Sequence, residues 1–202
     1  AEFWKKADRS SFDAFVKTTS WYRDYFWDEV IGRLPEPGMP LHPRTRQIFD
    51  EPAYTGYEVV LDVYPEVFAC GILLVPKNIP DGERRAVVVC QHGLEGRSRE
   101  VVDPQVDSPF YHQFGCRLAE KGYVVYAPQN PYVGGDAFRV LQRKANPLKK
   151  SLFAFIVRQH QRTLEWLSML PFVDPARIGF YGLSYGGKTA MRVPALLDGY
   201  CL

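Results

Sequence analysis

The residues best suited to chemistry lie in Arg-Ile-Gly-Phe-Tyr-Gly-Leu-Ser-Tyr-Gly-Gly at 177–187, where Gly182, Ser184 and Gly186 satisfy GxSxG. The residues before them read as a strand and those after as a helix. A serine on a sharp strand-to-helix turn is held in a strained conformation that only very small neighbours permit, and glycines stand on both sides. Such a turn lifts the Ser184 hydroxyl out of the sheet. The following helix then aims free N–H groups and the positive end of its dipole at any developing oxyanion. That constellation points to acyl transfer with Ser184 as nucleophile. The same pattern also occurs where a glycine-rich loop merely packs a helix on a strand, and the strand-then-helix context argues against that plainer use.

Acyl transfer also needs donors aimed at the tetrahedral oxygen, and the backbone N–H of Tyr185 is one. The second is expected after the first parallel strand, in Val-Cys-Gln-His-Gly-Leu-Glu-Gly at 89–96. Gly93 lets the chain turn so that the N–H of Leu94 faces the same point as that of Tyr185, with His92 orienting the backbone. The two motifs together, in this order, are far more specific than either alone.

These loops need a frame. A helix is expected after Ser10-Ser11, with Ser10 as cap and Asp13 completing a capping box. Phe12, Phe15, Tyr22, Phe26 and Val30 recur at three- and four-residue steps, the pattern of one buried stripe. Trp21, Tyr25 and Trp27 fall off that stripe and pack on another element or line a ligand site. The prolines of residues 34–40 make an extended connector. Residues 57–64 and 67–75 read as an antiparallel pair. Residues 85–90 form a run apolar enough to be buried on both faces, as parallel strands are. A helix capped by Ser108-Pro109 should carry Phe110, Phe114 and Leu118 and end at Gly122. Strand 123–128, helix 148–170 and strand 177–181 follow, with a long irregular insertion at 129–149 that leaves a strand's carboxyl end, where open α/β sheets bind ligands. Asp174, Pro175 and Arg177 form the turn into the last strand. Strands alternating with helices specify an α/β fold: a mostly parallel sheet with helices on both faces, antiparallel lead-in strands and an N-terminal helical extension. The expected division is 1–56, helix and connector packing on the domain, and 57–202, the sheet domain.

At 202 residues the chain suits one domain with an extension. A net charge of +2 with both signs interspersed gives no electrostatic footprint for nucleic acid or an anionic membrane. No apolar run is long enough to span a bilayer. Cys70, Cys90, Cys116 and Cys201 sit in apolar stretches without metal-ligand spacing and read as reduced core residues. The chemistry requires neither a metal nor an organic cofactor. The opening residues, Ala-Glu-Phe-Trp-Lys, carry no secretion signal and leave the compartment open.

The HGLEG stretch at 92–96, the VDPARIGFYGLSYGG stretch at 173–187 and the elements between them resemble an α/β-hydrolase, and within that superfamily the dienelactone hydrolase-like and acetylxylan esterase-like proteins. The resemblance covers roughly residues 57–202. It implies an esterase-type Ser-His-Asp/Glu triad with Ser184 as nucleophile and an oxyanion hole at Leu94 and Tyr185. In such folds the order is serine, acid, histidine. No histidine occurs in residues 185–202; the four present are His42, His92, His112 and His160. His160 shares a helical face with Leu152, Ile156, Thr163 and Leu167, as a hydrogen-bonded core histidine would, and His42 sits in the connector. The expectation is therefore the N-terminal part of a longer hydrolase, ending before the acid and base, with little turnover of its own. The substrate class is a small-molecule ester, carbohydrate-linked esters included. Tyr132, Arg139, Arg143 and Lys144, with Arg97 and Arg99, are candidates to place cations at the pocket mouth and favour an acidic or sugar-like ester, or are plain surface charge. Lactone, thioester and peptide hydrolysis stay open, as does a binding scaffold without catalysis.

Overall fold

The computed structural model describes residues 2–202 and shows a six-stranded mixed sheet covered by helices on both faces. The strands are β1 (Arg44–Asp50), β2 (Tyr54–Tyr64), β3 (Val67–Pro76), β4 (Arg85–Gln91), β5 (Val124–Gln129) and β6 (Val173–Gly182), in the order β1-β2-β3-β5-β4-β6. β1, β2, β3 and β5 pair antiparallel in turn, while β4 lies parallel between β5 and β6. β2, β4, β5 and β6 thus run one way and β1 and β3 the other. The antiparallel lead-in pair stands as expected. It is preceded by β1, which the alternation of mostly polar residues in 44–50 did not announce, because an edge strand with charged side chains carries little hydrophobic signal.

β5 is buried on both faces, and its alternation divides the core in two. Val124 and Tyr126 face one layer, packed by α6 (Phe153–Met169) and α7 (Tyr185–Leu196). Val125 and Ala127 face the other, packed by α3 (Ser98–Val102) and α4 (Phe114–Glu120). Full burial of each large aliphatic side chain is worth roughly 1.5–3 kcal/mol, so the interleaved valines hold helices to both faces at once. The parallel strands present their carboxyl ends, with the loops after β4 and β6, along one edge.

Several elements differ from the sequence expectation. The N-terminal part has α1 (Glu2–Lys6) and α2 (Phe12–Tyr25), the latter continuing as a π-helical turn, Phe26–Ile31. Ser11, not Ser10, is the cap, its Oγ accepting from the Ala14 N–H at 3.1 Å. The Phe12–Val30 stripe is not buried: no residue of α2 is, Phe12 is 80% exposed, and only Phe26, Trp27 and Ile31 reach the core. Periodicity specified an apolar face but not the presence of a partner for it. The helix expected from Ser108 begins at Phe114, because His112 and Gln113 adopt left-handed backbone (φ 46° and 53°) that no helix can pass through. Gly122 closes it as expected, at φ 90°. The insertion at 129–149 is partly ordered as α5 (Ala137–Ala145) and a 3-10 turn, Asn146–Leu148. α6 starts at Phe153 rather than Leu148, and α7 runs through Pro194 to Leu196. Cys90 and Cys116 are buried, Cys70 is partly so, and Cys201 is exposed, contrary to its expected core place. Beyond α7, the Cys201 N–H donates to Ile178 O at 2.9 Å and the Phe180 N–H to Leu202 O at 2.8 Å, so the last residues pair with the outer edge of β6.

Candidate active site

β6 ends at Gly182 and α7 begins at Tyr185, and the turn between them is made at Ser184, with φ 56° and ψ −112°. A non-glycine residue in so sparsely populated a region costs about 1–3 kcal/mol, which the surroundings must hold. They do so through the Gly186 N–H donating to Leu183 O at 2.8 Å and the Lys188 N–H donating to Ser184 O at 3.0 Å. The flanking glycines are fixed by contact. A Cβ at Gly182 would stand 2.4 Å from the backbone of Gly186, and one at Gly186 would stand 2.3 Å from the Gln91 carbonyl oxygen. The first turn of α7 therefore rests directly on the backbone that leaves β4.

That close approach brings the second motif to the first. A Cβ at Gly93 would lie 3.5 Å from Ser184 Cβ and 3.4 Å from Leu183 O. Ser184 and Leu94 are exposed. Among the described residues, neither the Ser184 hydroxyl nor the N–H groups of Leu94 and Tyr185 engage in a hydrogen bond. The Gly93 N–H is engaged, donating to the Tyr111 hydroxyl at 2.7 Å.

His92 is fully buried behind the loop. The Asn130 backbone N–H donates to its Nε2 at 3.2 Å, so that nitrogen is unprotonated and the proton sits on Nδ1, which donates to Gly93 O at 2.7 Å. Burial lowers its pKa to about 4, keeping the ring neutral. With its basic nitrogen occupied, His92 positions the loop and does not face Ser184 as a base. His160 is buried on α6, its Nδ1 2.8 Å from the Tyr200 hydroxyl and its Nε2 3.2 Å from Gln91 Oε1; burial lowers its pKa to about 3. His42 pairs with Asp62 at 3.0 Å and His112 lies 4.0 Å from Asp107, both exposed. Of the cations considered at the pocket mouth, Arg99 pairs with Asp103 and Glu58, and Arg139 with Asp136. Tyr132 is buried, its ring edge-on to that of Tyr185 at 6.3 Å. Arg97, Arg143 and Lys144 are exposed.

Three supporting residues escaped the sequence reading. Tyr111 carries no motif. Gln129 and Asn130, a polar pair ending the buried run of β5, gave the one available signal, since polar side chains closing an apolar strand at its carboxyl end are placed to hold a loop. No group of three or more His, Cys, Asp or Glu side chains suited to a metal occurs among the described residues. No helix there is long and apolar enough to cross a membrane.

The sheet order, the strand–turn–helix at Ser184 and the facing loop define an α/β-hydrolase fold. Comparison with solved structures agrees. A candidate acetyl xylan esterase from Bacteroides fragilis superposes with a TM-score of 0.78 at 17% identity, over 98% of this chain and 56% of that one. Acetyl xylan esterase 1 from Thermoanaerobacterium gives 0.65 at 15% identity, over 90% and 55%. A glucuronoyl esterase from Solibacter usitatus gives 0.65 at 13%, over 96% and 60%. The chain thus spans rather more than half the length of these three structures. No protein-family model matches the sequence.

Proposed function

We propose that the protein is a serine hydrolase that cleaves carboxylic esters through an acyl-enzyme on Ser184. The supporting observation is the strained Ser184 turn set against Gly93, with the hydroxyl and the N–H groups of Tyr185 and Leu94 unengaged. In this reading Ser184 Oγ attacks the ester carbonyl carbon and gives up its proton to a base. The two N–H groups receive the tetrahedral oxygen, the alcohol departs with a proton, and water releases the acid. Removing one such donor typically costs about 100- to 1,000-fold in rate. His92, with both ring nitrogens engaged, and His160, locked in the core, do not serve as that base in this reading. The names of the similar structures, esterases of xylan acetate and glucuronoyl groups, favour a carbohydrate-linked ester.

The occupied His92 also favours a second reading, a hydrolase-like scaffold that binds without catalysis. Intact mass and peptide mapping after fluorophosphonate treatment separate the two. The expected result is one adduct at Ser184 in the longest natural protein that contains this sequence, lost in Ser184→Ala together with hydrolysis of p-nitrophenyl acetate. Absence of the adduct there, or acetate hydrolysis untouched by Ser184→Ala, would overturn the proposal.

A further inference from the structure

A cavity of about 700 Å³ opens where β3 begins, β5 ends and α6 starts, within the roughly 300–1,000 Å³ range of small-molecule sites. Tyr132, Ala145 and Leu152 form its buried wall, and its rim is apolar too, with Phe68, Val133 and Leu148 exposed. Contiguous exposed apolar surface around a concavity marks a binding site more often than a solvated void. Ser184 is not among the residues that line it.

The charged side chains of the lining are two cations, Lys144 and Lys150, against one acid, Glu66. Among the described residues none of the three is in an ion pair, and the carboxylates flanking Leu34 in the chain are taken by arginines, Asp24 and Asp28 by Arg33 and Glu36 by Arg158. Lys150 is half-buried, and its Nζ donates to Arg33 O at 2.9 Å. An ammonium has three donors, so two are left without a protein partner among the described residues. Glu66 is exposed on the turn between β2 and β3, where water screens it. Beside a wall that excludes water, the pull of an ammonium on an anion is screened less. The uncharged polar groups are engaged within the protein: Gln159 Nε2 donates to Phe68 O at 2.8 Å, Gln129 Nε2 to Tyr132 O at 3.2 Å and Asn130 Nδ2 to the Tyr132 hydroxyl at 3.3 Å. Ligand hydroxyls therefore gain little here, whereas an anion gains the unused ammonium donors.

We propose that this cavity binds an apolar monocarboxylate, its hydrocarbon body against Tyr132, Leu152 and the rim and its carboxylate at Lys150, with Lys144 adding to the positive potential. The lining's excess of one positive charge matches one carboxylate. The inference stands on the cavity alone and survives if the hydrolase proposal fails.

Calorimetric titration of this chain with octanoate tests it, with 1-octanol and octylammonium as the uncharged and cationic counterparts of the same length. The expected result is saturable one-to-one binding of octanoate, tighter than either counterpart by about tenfold or more, the worth of one charge-assisted hydrogen bond. Lys150→Met, which keeps an apolar stem and removes the charge, should weaken octanoate toward the octanol level. Glu66→Gln should strengthen octanoate, and Leu148→Asp, which puts a negative charge on the rim, should weaken it. Ser184→Ala should leave octanoate binding unchanged, which separates this cavity from the ester site. No saturable octanoate binding, equally tight binding of octanol or octylammonium, or full octanoate affinity in a folded Lys150→Met would overturn the proposal. The comparison of the three probes on the unmodified chain decides the matter even where a variant does not fold.

Discussion

At the scale of single residues, the candidate site is held by backbone contacts that leave no room for side-chain atoms. Gly186 tolerates no Cβ because rigid backbone, the Gln91 carbonyl, stands 2.3 Å from where it would be. Gly186→Ala should lower stability by about 1–3 kcal/mol, the usual cost of forced overpacking, and reduce fluorophosphonate labelling of Ser184. Gly38→Ala, where nothing lies within 4 Å, should leave the thermal midpoint unchanged. Equal midpoints for both variants would sink the packing account. Tyr111 acts on the opposite loop: Tyr111→Phe keeps the ring but orphans the buried Gly93 N–H, a loss of about 1–3 kcal/mol. The expected outcome is slower labelling of Ser184 together with a lower midpoint. Unchanged labelling would show that the Leu94 loop keeps its place without the hydroxyl.

At the scale of elements, α6 and β4 are joined through polar groups inside the core. His160 on α6 contacts Gln91 at the end of β4 and Tyr200 beyond α7, and Gln91 Nε2 donates to Pro128 O on β5 at 3.4 Å. Burial holds the His160 pKa at about 3 against 6.5 in a solvated chain, so the unfolded chain takes up the proton first. The stabilisation is complete above pH 6.5 and declines as pH falls from 6.5 toward 3, at up to about 1.4 kcal/mol per pH unit. His92 acts in the same sense between 6.5 and about 4. Denaturant melts between pH 8 and pH 4 should therefore show stability falling with acid, and more steeply in the unmodified protein than in His160→Gln. Parallel pH curves for the two proteins would remove His160 as a source of the slope.

At the scale of the whole molecule, the N-terminal extension is tied down at Arg23, which donates to Leu196 O at 2.7 Å, and more deeply at its far end. α2 buries no residue, whereas Arg158, 1% exposed on α6, donates Nε to Leu34 O at 3.1 Å and pairs with Glu36 at 2.7 Å. Arg162 adds a bond to Met39 O at 2.6 Å. A buried guanidinium that satisfies connector carbonyls works as a clasp. Arg158→Leu should cost about 1–3 kcal/mol and open residues 34–40 to limited proteolysis before the sheet is cut. A digestion pattern identical to that of the unmodified chain would show that the other ties, Arg162 to Met39 O, Arg23 to Leu196 O and the packing of Trp27 and Ile31, hold the extension without Arg158.

Much of this organisation was legible in the sequence because it rests on local rules. The buried runs 85–90 and 123–128, the antiparallel pair around Pro65-Glu66, and glycine on each side of Ser184 follow from strand alternation, chain breakers and steric allowance within a few residues. Those rules also placed Leu94 in the loop after one parallel strand and Tyr185 at the turn into the helix after another. What they could not supply were relations between residues distant in the chain. The sequence marks α2 as amphipathic, but whether a partner covers that face depends on where the sheet lies. Left-handed turns at His112 and Gln113 displaced a helix start that Ser108 and Pro109 suit equally well. The hydrogen bonds that make Tyr111, Asn130 and His92 one support for Gly93 exist only once β4 and β5 lie side by side with the helices packed on them. Identity and spacing determined which residues could do chemistry, and tertiary packing decided which lone pairs and N–H groups were left free to do it.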